Sequence, residues 1–166
     1  MTIEASIVLT GLIFFVLLIM DVGMIYRAQN YMTHSIYQTA KCLSFSSHRY
    51  SIQENDTNLV DEFMNYFGFI KEDNYVRLLW RGENYQGAAE EVFNKGIVDT
   101  DSMEKYGIEN VQFDVQVLWK NTYQKDMDMK VTYDVVVPFK VFGIEKITLH
   151  QEVLSGLWQK ENMDSL

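Results

Sequence analysis

Three histidines, His34, His48 and His150, are the first candidates for metal binding or proton transfer. They lie far apart in the chain, with none of the short spacings that gather ligands on one metal. Asp126 and Asp128 stand two apart, as in a calcium loop, but the glycine and terminal glutamate of such a loop are missing. Ser155-Gly156 lacks the glycine pattern of a nucleophile elbow. Gly82 and Gly87 do not make a phosphate-cradling loop. Cys42 is the single cysteine, so no internal disulfide forms, and alone it makes no zinc site. It reads as a small apolar residue on a helix face. The many acids give a net charge of −9 and read as solvated surface. No catalytic, cofactor-binding or metal-binding residues are therefore expected, and no enzyme activity.

The information lies instead in how the elements are laid out. Between residues 7 and 20 every residue is large and apolar except Thr10 and Gly11, and nothing between residues 5 and 20 is charged. A helix needs about 20 such residues to cross a bilayer. Asp21 is the one charge in the span 5–25, near its end, where a carboxylate reaches the interface cheaply. A cleaved secretory signal fits poorly: no basic residue precedes the run, the run is long, and no small-residue cleavage pattern follows. A buried core helix would need apolar partners all round, and no second such helix follows. The expectation is a membrane anchor over residues 1–25.

Beyond it, Ile25, Ala28, Met32, Ile36, Ala40 and Leu43 recur at steps of three and four, an apolar stripe on a continuing helix. One helix over about 2–46 is predicted, with residues 26–50 its amphipathic continuation. Tyr26 and Tyr31 suit either an interfacial aromatic belt or ordinary packing. The remainder, residues 51–166, is long enough for one modest core, and 14 % aromatic residues argues for a packed domain. The acidic balance, with a pI near 4.7, argues against a nucleic-acid partner.

Residues 51–58 read as a polar loop, followed by a helix with Val60, Phe63, Met64 and Phe67 on one face. The β-favouring run 75–80, YVRLLW, predicts a short strand, and residues 81–84 a turn. A helix is expected over 88–95, closed by Gly96, then another turn or two capped by Thr100. The last third changes period. Val111, Phe113, Val115 and Val117 alternate with polar residues, as do Met129, Val131, Tyr133 and Val135, then Ile147, Leu149 and Val153, with Gln151 the polar break in that row. Period two with one apolar face is a half-buried antiparallel sheet, here a meander over about 111–154. Its connections are expected at 120–126 and 138–145, with Pro138 marking a strand end. The predicted fold class is α+β: Met32, Ile36 and Leu43 on the helix pack against Phe113, Val115, Val131 and Val135 on the sheet.

Thr2-Ile3-Glu4-Ala5, the apolar run, Asp21-Val22-Gly23 and Tyr26-Arg27 together resemble the N-terminus of TadE-like pseudopilins. These are minor pilin-like proteins of the tight-adherence branch of type IV pilus systems. Residues 38–43 resemble the Gram-positive variants. Thr10 stands where members commonly carry a proline. The resemblance implies a pilin-like arrangement of helix on sheet, an extracytoplasmic C-terminal domain, and a membrane-held subunit that assembles with other pilin-like subunits on a pilus assembly platform. It also implies a basic leader, removed by a prepilin peptidase, ahead of Glu4. Asp21, Gly23 and Arg27 are the motif residues carried over, and Glu4 is the assembly residue. A second class of function is a membrane-tethered binding module of the cell envelope that does not polymerise. A tethered hydrolase has only scattered acids behind it.

Overall fold

The computed structural model describes residues 2–51, 76, 79–80, 82–121, 124–140 and 143–157. The predicted loop after Ser51 and the helix carrying Val60, Phe63, Met64 and Phe67 lie outside the described residues. The fold is α+β: one long N-terminal helix and a three-stranded antiparallel sheet.

Helix α1 runs Thr2–Ser51, 50 residues, or roughly 75 Å. It continues five residues past the expected end at Ser46, because no glycine or proline breaks it. Ser and Thr side chains bond back to its own carbonyls: Thr33 Oγ1 to Gln29 O at 2.7 Å, Thr39 Oγ1 to Ser35 O at 2.9 Å and Ser47 Oγ to Ser44 O at 2.6 Å. Ala28, Met32, Ile36, Ala40 and Leu43 form its buried face. Tyr31 is half-buried, its ring 5.1 Å from that of Tyr106, so packing rather than an aromatic belt accounts for it. Tyr26 stays exposed.

The run YVRLLW is not a strand where it is described. Val76, Leu79 and Trp80 are helical, with Val76 buried and the other two packed on the core. Their i, i+3, i+4 spacing puts all three on one helix face, and that tertiary contact outweighs β propensity. Helix α2 is Tyr85–Val92, starting three residues before the expected Ala88 because Asn84 caps it, its side chain accepting from Gly87 N–H at 3.0 Å. It does not end on Gly96 but opens into a π-helical turn, Phe93–Ile97. Helix α3 is Thr100–Lys105; Asp99, not Thr100, is its cap.

The strands are β1 Ile108–Asn121, β2 Gln124–Val136 and β3 Lys146–Leu157, in the order β1-β2-β3. Phe113, Val131 and Gln151 share one inward row, and Val115, Met129 and Val153 the next. β1 starts earlier than its alternation suggests. A bulge between Glu109 and Gln112, with Asn110 at φ 53°, shifts the phase so that Ile108 and Phe113 both face inward. The β1–β2 hairpin is also tighter than the polar stretch 120–126 implies: Lys125 and Asp126 are in the ladder opposite Trp119 and Leu118. The β2–β3 connection falls at residues 137–145, close to where Pro138 predicts it.

α1 lies mainly on β3 and β2, while α2 covers β1. Phe93 meets Phe113 edge-on at 4.9 Å. The cover of the sheet is thus shared between two helices, where the sequence pattern offered only α1. Gln151, the polar break in the inward row, donates to Thr33 Oγ1 at 2.8 Å and to Gln29 O at 3.3 Å on α1. Ser44 Oγ donates to Gly156 O. Burying Met32, Ile36 and Leu43 contributes about 1.5–3 kcal/mol each.

Tyr133 is fully buried at the centre of the sheet, and its hydroxyl has no partner. Burial pushes its phenol up from 10.0 to about 12. Below pH 10 the phenol is neutral in both folded and unfolded chains. Between pH 10 and 12 the unfolded chain releases a proton that the fold retains, so stability should fall as pH rises through that window. Tyr133→Phe should remove this dependence. It should also gain about 1 kcal/mol at neutral pH, because no unpaired hydroxyl is then buried. Urea unfolding at pH 7 and pH 11 checks both: a stability difference that does not widen with pH would place the hydroxyl in contact with water.

Candidate functional site

The residues with the clearest functional character sit along α1. Glu4 is exposed in its first turn, where the helix dipole favours an acid. Residues 4–16 are all exposed, including large apolar side chains such as Phe15 at 61 %. Thr10, the one hydroxyl in the apolar run 7–20, donates to Ser6 O at 2.9 Å, so its polar group is satisfied inside the helix, as an apolar medium requires. Among the described residues, α1 is the one helix long and apolar enough to cross a membrane. Its first 20 residues span about 30 Å, the thickness of a bilayer core.

Leu17 and Leu18 are half-buried, and Asp21 is the first fully covered residue, 5 % exposed. The sequence suggested a carboxylate reaching out to the interface. Instead Asp21 turns into the protein: Oδ1 accepts from Phe139 N–H at 3.2 Å, and Oδ2 is buried with no partner. The bond ties the end of the apolar run to the β2–β3 connection. Sequence distance hid this contact, which joins residues 118 apart. The acid closing an apolar run was its only signal.

The other motif residues do not join Asp21. Gly23 has nothing within 4 Å of where a Cβ would stand. Arg27 is exposed further along the helix. Met32, Ile36, Leu43, Phe113, Val131 and Val135 belong to one buried cluster, and Val115 is half-buried against it.

The residues first considered for chemistry stay dispersed. His34 is exposed on α1, and the side chain of His48 lies outside the described residues. His150 Nδ1 pairs with Thr132 Oγ1 at 2.9 Å on the outer face of the sheet. There Gln112, Asp114, Lys130, Thr132, His150 and Glu152 line a shallow groove of about 380 Å³. Lys130 lies 3.3 Å from Asp128 and 3.9 Å from Glu152, and the Asp128 carboxylate holds its ammonium above the usual lysine range. Among the described residues, no group of three or more His, Cys, Asp or Glu side chains could hold a metal. Cys42 is buried in the core.

Compared with known family models, curated proteins and solved structures, the chain matches none. The reading of its function therefore rests on the chain's own sequence and geometry.

Removing residues 1–20 should leave a fragment that stays in solution without detergent, since it keeps Asp21 and the whole buried face of α1 while losing the exposed apolar run. The full chain should need detergent. Ultracentrifugation and size-exclusion chromatography check this, and a full chain that runs as a detergent-free monomer would rule out the anchor.

Proposed function

We propose that this chain is a single-pass, membrane-anchored pilin-like subunit of the TadE-like kind, serving a tight-adherence or type IV-like surface filament or secretion apparatus. One observation carries the reading: α1 is continuous across a change of environment, apolar and mostly exposed up to Met20, packed on an antiparallel sheet from Ala28 onwards. The role is structural rather than catalytic. The apolar half holds the subunit in the membrane until assembly and then packs among the helices of other subunits. Gly11 and Gly23 both face open space, and small residues let helix backbones approach closely there. The sheet domain lies outside the cytoplasm and makes lateral or tip contacts. A prepilin peptidase and the assembly platform are the partners this reading implies.

The competing reading is a tethered binding module that stays in the membrane. Shearing the cell surface separates the two. Recovery of the chain in sheared filaments supports the subunit, and confinement to the membrane fraction supports the module.

A further inference from the structure

We propose that β3 of one copy adds its free edge to β1 of a second copy, joining the sheets of neighbouring subunits through a parallel strand pair. The inference rests on the reading of the chain as a subunit that assembles, and it names a second copy as the partner.

Strand direction decides which edges can meet. Gln151 bonds to Gln29 and Thr33 on α1, and Gly156 O accepts from Ser44. From Thr33 to Ser44 the helix rises about 17 Å, and from Gln151 to Gly156 the strand advances about 17 Å. α1 and β3 therefore run side by side in the same direction. Copies anchored in one membrane share the direction of α1, and so of β3. β1 also runs that way, because β2 pairs antiparallel with both. Two β3 edges in one sheet would need antiparallel strands, and so opposed anchors. A two-fold along the strands would instead set each residue beside its own copy on the opposite face, which the pleat forbids. β3 against β1 keeps the anchors aligned.

Both edges are open. Among the described residues, neither β1 nor β3 pairs with a further strand. The β2–β3 ladder is unbroken over Lys146–Leu157, with no proline or bulge to blunt its edge. Ile147, Leu149 and Val153 face inward yet are only half-buried, whereas Val135, Tyr133 and Met129 beside them on β2 are fully buried. On β1 the ladder is regular from Gln112 to Trp119, between its two irregularities.

One register suits the two edges over that stretch. Setting Asp114 beside His150 sets Gln112 beside Thr148, Gln116 beside Glu152 and Leu118 beside Leu154 on the outer face. With Nδ1 accepting from Thr132 Oγ1 at 2.9 Å, His150 keeps its proton on Nε2 and can donate it to Asp114. The Gln116 amide can donate to Glu152. Leu118 and Leu154, 50 % and 65 % exposed, cover one another. On the inner face Phe113 meets Leu149, and Val117 meets Val153. Within one copy Leu118 is level with Gly156, both opposite Asp126. The register therefore displaces the second copy by two residues, about 7 Å, along the strands. A head-to-tail contact with such a displacement builds an open helical array rather than a closed ring.

Disulfide trapping in cells tests this. Two differently tagged full-length chains are co-expressed, one carrying Asp114→Cys and the other His150→Cys, and sheared filaments and membranes are oxidised separately. Both positions are exposed, and the parent chain controls for the buried Cys42. In filaments the 114–150 product should exceed that of Asp114→Cys with Glu152→Cys at least about fivefold, since those Cα atoms would stand roughly 8 Å apart, beyond disulfide reach. It should exceed the product of two His150→Cys chains by as much. If filaments carry the chain but the 114–150 product does not exceed these controls, the contact is overturned and the filament reading stands. If the chain is absent from filaments while the product forms in the membrane fraction, the contact stands and the filament reading fails. Absence from filaments with no product in the membrane overturns both.

Discussion

Leu43→Ala should destabilise the folded domain by about 2–5 kcal/mol, the range for truncating a fully buried leucine. Leu43 is completely covered, on the face of α1 that carries Met32, Ile36 and Ala40. Its neighbour Ser44 donates to Gly156 O at the far end of β3, so α1 is bonded to the sheet beside it and has little freedom to collapse into the space an alanine leaves. Such a site sits at the costly end of the range, because unrelaxed cavity adds to lost burial. Denaturant unfolding of the full chain in detergent, followed by near-ultraviolet circular dichroism, measures the loss. Leu154→Ala on the outer face is the control and should change stability by less than about 0.5 kcal/mol. If Leu43→Ala costs no more than that control, the C-terminal half of α1 is not held by the sheet, and its apolar stripe serves a partner instead.

Glu4→Ala should leave the subunit folded and normally abundant in the membrane yet abolish its entry into filaments. Glu4 is exposed in the first turn of α1, beside the uncovered apolar run. It lies outside the buried face of α1 that packs on the sheet. Removing a charge next to the span should leave insertion unharmed or slightly easier. Packing into a bundle of apolar helices is different. There the carboxylate loses its hydration, at a cost of several kcal/mol unless a positive charge meets it. In the proposed assembly that charge is the free N-terminal amine of an adjacent subunit, created by leader cleavage. Membrane fractionation should show parental levels of the variant, and sheared filaments and cross-links to other subunits should lack it. A variant that enters filaments as well as the parent does would reduce Glu4 to a helix-terminus acid and favour the tethered module.

Periodicity was a sound guide wherever local burial governs structure. The uninterrupted run 7–20 and the stripe from Ala28 to Leu43 specify a two-part helix. The alternation around Val131 and Val153 specifies a half-buried sheet, and Pro138 marks the end of β2. These patterns are legible because each residue's environment repeats with the geometry of its own element. The misreadings have local causes too. The bulge at Asn110 breaks the period-two pattern, which hid the first residues of β1. The β-favouring YVRLLW supplies helical residues because the contacts of Val76, Leu79 and Trp80 outweigh propensity. Lys125 and Asp126 carry polar side chains in the ladder, so no apolar alternation announced that part of β2.

The sequence by itself determined that the chain has an apolar helix able to cross a membrane, an amphipathic continuation and an antiparallel meander, since each is written in the spacing of neighbouring residues. Only the tertiary structure decided which partners these elements take. It assigned α1 to β2 and β3 and gave β1 to α2, with Phe93 of the π turn against Phe113. It turned Gln151 from a flaw in an apolar row into a bond to Thr33, and turned Asp21 inward onto Phe139. The physical reason is that a hydrogen bond between residues 118 apart leaves no periodic trace. It exists only once the packing of helix on sheet brings a buried acceptor to a backbone N–H that would otherwise be unpaired.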